Sequence, residues 1–121
     1  MKISVAMATY NGAQYIEEQL ESIRIQTMPV DEVRICDDGS SDDTVEVICH
    51  YIREHGLESS WSVEVNQENL GYASNFMKAV GLTNGDYVFF CDQDDIWIAD
   101  RAERMIGLME AHPDMLLLGS E

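Results

Sequence analysis

Apolar residues follow two alternating spacings along the chain. Short runs rich in β-branched and aromatic residues stand at positions 3–8, 32–36, Trp61–Val65, Tyr87–Cys91 and 115–118. These read as strands, with helical stretches between them at 13–26, 42–55, 73–83 and 99–111. Ile16, Leu20 and Ile23 recur on one helical face, as do Val45, Ile48 and Ile52. Asn11 is placed to cap the first helix, with Gly12 relaxing the turn, and Ser41 to cap the second. Strands alternating with helices of this length predict βαβ units and a mainly parallel sheet buried on both faces. Nothing resembles a repeat or linker, so residues 1–121 are expected to form one α/β domain, a size ordinary for a single unit.

This architecture directs attention to the carboxyl ends of the strands, where open α/β sheets bind ligands. Four polar clusters fall there: Thr9-Tyr10-Asn11-Gly12, Asp37-Asp38-Gly39-Ser40-Ser41, Asn66 through Gly71, and Asp92-Gln93-Asp94-Asp95. Each is also good turn chemistry, and taken singly the acidic run is better read as a solvated turn. In the first cluster the backbone and the Tyr10 ring suit the edge of a nucleobase and ribose. A fixed carboxylate in the second can accept from a base N–H or a ribose hydroxyl. Asparagines in the third can contact a base or position the aspartates. Asp92 and Asp94 can face one hard divalent cation, which would share its remaining positions with substrate phosphates. The Gly-rich phosphate fingerprint is missing after the first strand, so a dinucleotide site is not supported.

Charge narrows the partners. The chain has 7 Lys+Arg against 23 Asp+Glu, a formal net charge of −16. Such a surface repels nucleic-acid backbones and anionic lipid, and an anionic ligand would need a cation or directed N–H groups. Three cysteines without a CxxC spacing suit reduced, mostly buried residues in a cytoplasmic setting. The opening apolar run is too short for a signal peptide, and no stretch has the length of a membrane span. Attachment at the inner face of the cytoplasmic membrane, through a further segment or partner, is left open.

The ordered segments VAMATYNG, EEQLESIRIQT, ICDDGSSDDT, NQENLGYASNF and FFCDQDDIW resemble family 2 glycosyltransferases. The resemblance runs from Ile3 to about Arg101, and the DQDDIW form is similar to bacterial rhamnosyltransferase-type enzymes of surface-polysaccharide synthesis. It implies a GT-A fold with a Rossmann-like, mainly parallel sheet flanked by helices, truncated at the C-terminus. It further implies inverting transfer from a UDP- or dTDP-sugar to a glycan or glycolipid acceptor, with Mn²⁺ or Mg²⁺. Thr9, Tyr10 and Asn11 would line the base and ribose pocket, and Asp38 would hydrogen-bond the base. Asn69 and Asn75 would border the donor pocket. Asp94 would ligate the metal, with Asp92 nearer the ribose or a water shell, and Asp95 would assist there or cap a helix. Where relatives carry Ile-Pro-Thr, this chain has Met7-Ala8-Thr9. No residue matches the family's catalytic base, which is expected downstream of Glu121, and a cut edge would favour homodimers.

Two other classes compete. A receiver-like Mg²⁺-binding signalling module would be phosphorylated on Asp37 or Asp38, but it needs a lysine after a late strand, and Lys2 and Lys78 are not so placed. A phosphotransferase with Asp92 as nucleophile would carry its acidic pair after an early strand, whereas here it follows the fourth.

Overall fold

A computed structural model describes residues 2–91 and 96–111. Four strands, β1 (Ile3–Thr9), β2 (Glu32–Asp37), β3 (Trp61–Val65) and β4 (Tyr87–Cys91), alternate with four helices. The helices are α1 (Ile16–Arg24), α2 (Thr44–Glu54), α3 (Tyr72–Leu82) and α4 (Arg101–Ala111). The strands form one parallel sheet in the order β3-β2-β1-β4. The expected strand at 115–118 lies outside the described residues, as do Asp92, Asp94 and Asp95.

β1 is central and buried along its whole length, as a parallel strand covered on both faces must be. Its alternate residues divide the core. Ile3, Val5 and Met7 join Ile16, Leu20, Ile23, Ile48, Ile52 and Ile106 in the larger cluster, beneath α1, α2 and α4. Ala6 and Ala8 face the other way and meet Phe76 and Ala79 of α3. Small side chains on this face let α3 lie close to the sheet, and the cleft described below opens beside its first turn.

The capping expectations are corrected. Asn11 does not cap α1, and Ser41 does not cap α2; the two residues bind each other. Asn11 Oδ1 accepts the Ser41 backbone N–H at 2.8 Å, and the Asn11 N–H donates to Ser40 Oγ at 2.8 Å. Asn11 rather than Gly12 takes the left-handed conformation, with φ of 51°. α1 starts later, at Ile16, after the Gly12 carbonyl has accepted the Tyr15 and Ile16 N–H groups at 2.9 and 3.0 Å. Asp42 joins the same link, taking the Ala13 N–H at 3.2 Å and the Thr44 N–H at 3.0 Å. Side chains suited to local capping are equally suited to bridging two adjacent turns, and here the bridge prevails. Both βα turns are thereby locked together at the sheet's carboxyl edge.

The opposite edge has its own polar anchor. Glu32 is 1% exposed, and its carboxylate accepts from Ser4 Oγ (2.6 Å), the Asn84 N–H (2.8 Å) and Arg34 Nε (2.9 Å). Burial pushes its pKa up, but the Asn84 and Ser4 hydrogen bonds and the charges of Arg34 and Lys2 outweigh that and hold it below the ordinary value. Gly85 passes so close that a Cβ there would stand 2.3 Å from Ser4 Oγ and 2.9 Å from the Lys2 carbonyl. Gly85→Ala should therefore destabilise the chain by about 1–3 kcal/mol in a denaturant titration, through overpacking against β1. Unchanged stability would show that this edge yields without cost.

Candidate functional site

β1 and β2 each run one residue further than their apolar patterns predict, and those last residues pair in register, Thr9 with Asp37. Asp37 is fully buried. It accepts from Thr9 Oγ1 (2.7 Å), the Ser40 N–H (2.7 Å) and Ser40 Oγ (2.6 Å). Its carboxylate is thus spent on closing the turn after β2. The neighbouring aspartate points the other way.

Asp38 is 5% exposed and receives three donors from the third polar cluster. Its Oδ1 accepts the Leu70 N–H at 2.7 Å and Asn66 Nδ2 at 2.9 Å, and its Oδ2 accepts the Gly71 N–H at 3.0 Å. Gly71 holds φ of 87°, a conformation costly for other residues, and so turns its N–H toward the carboxylate at the entrance of α3. Burial raises the Asp38 pKa, but the Leu70, Asn66 and Gly71 hydrogen bonds outweigh it, leaving a net value below the ordinary aspartate range. Asp38 is therefore an ionised acceptor at neutral pH. With two donors on Oδ1 and one on Oδ2, it retains capacity for one more.

Around Asp38 lies a cleft of ≈ 430 Å³, lined also by Ala8, Thr9, Tyr10, Asn69, Gly71, Tyr72 and Asn75. Five residues singled out in the sequence thus share one wall: Thr9, Tyr10, Asp38, Asn69 and Asn75. Asn11 does not line the cleft; its amide is engaged with Ser41. Asn75 lines it while buried, and its amide is committed to Asn66 and the Cys36 carbonyl. Asn69 is exposed and donates to the Asp38 carbonyl at 3.2 Å. Tyr10 and Tyr72 put large, solvent-accessible rings at the rim, 47% and 62% exposed. Tyr72 was not singled out from sequence, because just ahead of the helix expected at 73–83 it reads as an ordinary turn residue; in the structure it opens α3. Its ring stands edge-on to Phe76 at 5.4 Å, which braces it. Aromatic rims with one buried acceptor suit a flat, hydrogen-bonding ring.

Among the described residues no group of three or more His, Cys, Asp or Glu is placed to hold a metal ion. The aspartates expected to do so, Asp92 and Asp94, lie outside the described residues. β4 nevertheless carries the chain to this edge, since Cys91 is level with Met7 of β1, two residues before Thr9. Among the described residues no helix is long and apolar enough to cross a membrane.

Comparison with known proteins gives a consistent result. The family model described as Glycosyl transferase family 2 matches residues 4–120. The dTDP-rhamnosyl transferase RfbG of Shigella flexneri is 40% identical over 104 residues, covering 83% of this chain and 35% of that protein. The structure of S. aureus TarS 1-349 in complex with UDP-GlcNAc superposes with a TM-score of 0.80 at 29% identity, covering 93% of this chain and 32% of that one. The mannosyltransferase PcManGT of Pyrobaculum calidifontis, in complex with GDP-Man and Mn²⁺, gives 0.74 at 30% identity, over 81% of this chain and 29% of its own. The chain spans about a third of the length of the first curated relatives it matches. A parallel sheet flanked by helices, shared with these structures, is the GT-A arrangement expected from the sequence.

The Asp38 geometry can be tested without any ligand. In Asp38→Asn, either amide orientation turns an NH₂ against a backbone or Asn66 donor, at a cost of about 1–3 kcal/mol. Because the carboxylate's pKa is lowered by folding, its contribution is complete above the ordinary aspartate value and is lost as pH falls through the lowered one. Urea titrations should therefore find Asp38→Asn less stable than wild type at pH 7, with the gap closing below about pH 4. A gap that persists undiminished at pH 3 would contradict this assignment.

Proposed function

The chain belongs to glycosyl transferase family 2, and from that premise we propose that its cleft binds the nucleotide of a UDP- or dTDP-sugar. One observation carries the proposal: a buried, ionised carboxylate with spare acceptor capacity sits in a cleft rimmed by two tyrosines. Uracil and thymine each present one ring N–H, the group such an acceptor takes. Thr9 closes the floor, Tyr10 and Tyr72 face the base or ribose, and Asn69 and Asn75 border the pocket. Asn11 acts at one remove, holding the Ser40-Ser41 turn.

The reaction is transfer of the sugar to a hydroxyl of a glycan or glycolipid acceptor, with inversion. A bond forms between the acceptor oxygen and the sugar's anomeric carbon while the bond from that carbon to the diphosphate breaks. The nucleoside diphosphate leaves with the electron pair, and the hydroxyl proton passes to a base, for which no residue here is assigned. The described residues contribute binding and orientation, holding the base end of the donor so that the diphosphate extends toward the end of β4. Asp92 and Asp94 would hold Mn²⁺ or Mg²⁺ there; when bound, the ion supplies positive charge to the departing diphosphate. With so acidic a chain, that charge offsets the repulsion a diphosphate meets and tightens its hold. Related proteins are consistent with this: TarS binds UDP-GlcNAc and PcManGT is complexed with Mn²⁺. The whole of residues 1–121 is assigned to this one donor-binding domain. The receiver-like alternative finds no support in the family match.

Titration calorimetry with UDP and dTDP, with and without Mn²⁺, tests the proposal. Both nucleotides should bind, and Mn²⁺ should tighten binding by about tenfold or more, an increment of ~1.4 kcal/mol. Asp94→Ala should lose the metal increment and keep the metal-free affinity. Failure of both nucleotides to bind, or an Asp94→Ala variant with an intact metal effect, would overturn it.

A further inference from the structure

Asp38 does not stand alone behind the cleft. Lys78, in the second turn of α3, donates from Nζ to Asn66 Oδ1 at 2.7 Å and lies 3.6 Å from Glu64 Oε1. Asn66, 6% exposed, donates from Nδ2 to Asp38 Oδ1 at 2.9 Å and to Asn75 Oδ1 at 2.7 Å. Asn75 Nδ2 in turn donates to the Cys36 carbonyl at 2.8 Å.

Each link has a direction set by chemistry. An ammonium can only donate and an ionised carboxylate can only accept, so their partner amide has one permitted orientation. With its oxygen on Lys78, Asn66 must present both amide hydrogens inward, one to Asp38 and one to Asn75. Remove the ammonium and the buried Asn66 oxygen loses its charged donor, while Asp38 and Asn75 still hold the amide hydrogens inward. The amide is then fixed from one side only, and any shift it makes to find a new donor lengthens the Nδ2 bond to Asp38 and moves the carboxylate with it.

We propose that Lys78 is a positioning residue for base recognition, orienting the Asn66 amide so that Asp38 presents its remaining acceptor site to the base N–H. Lys78 does not itself line the cleft; its effect passes through Asn66. Lys78 is one of only two lysines in the chain, and its partner loop, between β3 and α3, also supplies the Leu70 and Gly71 donors. The proposal rests on Asp38 as the acceptor for a pyrimidine N–H.

The test compares affinities for UDP and for N3-methyl-UDP, which lacks that N–H, in wild type, Lys78→Met and Lys78→Arg, with melting curves for all three. Wild type should prefer UDP by about tenfold or more. Lys78→Met should narrow the preference to below about threefold, mainly by weakening UDP, while Lys78→Arg, still a donor, should keep it. A Lys78→Met variant with the wild-type preference, or with both ligands weakened by the same factor, would overturn the proposal. So would unfolding of Lys78→Met at the assay temperature, which would mark a general structural support. Equal binding of the two ligands by wild type would instead remove the Asp38 assignment and the proposal with it.

Discussion

A buried negative charge must be answered from within the fold, and the carboxylate of Asp38 sets that requirement here. Three N–H donors meet it, all from residues between β3 and the first turn of α3. The end of β2 is thereby tied to a loop that would otherwise be free to wander over the sheet edge. Those hydrogen bonds more than offset the burial cost, so the group is ionised and fixed at once. A fixed anion with spare acceptor capacity is what a cleft needs to read a ring N–H. It would do so with little reorganisation on binding, because the fold has already oriented the acceptor.

The rest of the domain can be seen as support for that edge. β1 divides its side chains between two layers, large ones toward α1, α2 and α4 and alanines toward α3. Close approach of α3 brings Gly71, Tyr72 and Asn75 beside Thr9 and Asp38. Asp37 closes its own turn, and Asn11 with Ser40 and Ser41 clamps the two βα turns together. At the far edge Glu32 performs the corresponding service for Ser4, Arg34 and Asn84. Two adjacent aspartates thus have different tasks, decided by which set of donors each one meets.

Much of this was legible in the residues. Hydrophobic period alone placed the four described strands and four helices within a few positions, because strands covered on both faces and helices covered on one leave unambiguous patterns. The convergence of the three described polar clusters on one edge followed from parallel topology. What escaped was the partner of each polar side chain. Ser41 and Asn11 are as competent to cap a helix as to bind one another, and composition does not distinguish the two. Asp37 and Asp38 are chemically identical until the fold surrounds them. Tyr72 stands just before the helix the sequence pattern marks, and only the position of α3 turns its ring to the cleft rim. Lys78 is twelve residues from Asn66 in sequence, and that contact too exists only once α3 is docked.

The central claim is that Asp38 accepts a hydrogen bond from the ring N–H of a bound pyrimidine. It can be observed directly by NMR with UDP labelled with ¹⁵N at N3. On binding to wild type, the imino proton should become protected from exchange with water and show a cross-peak absent from free UDP. In Asp38→Asn that protection should disappear even at saturating nucleotide. A saturated wild-type complex whose imino proton exchanges as fast as in free UDP would contradict the account.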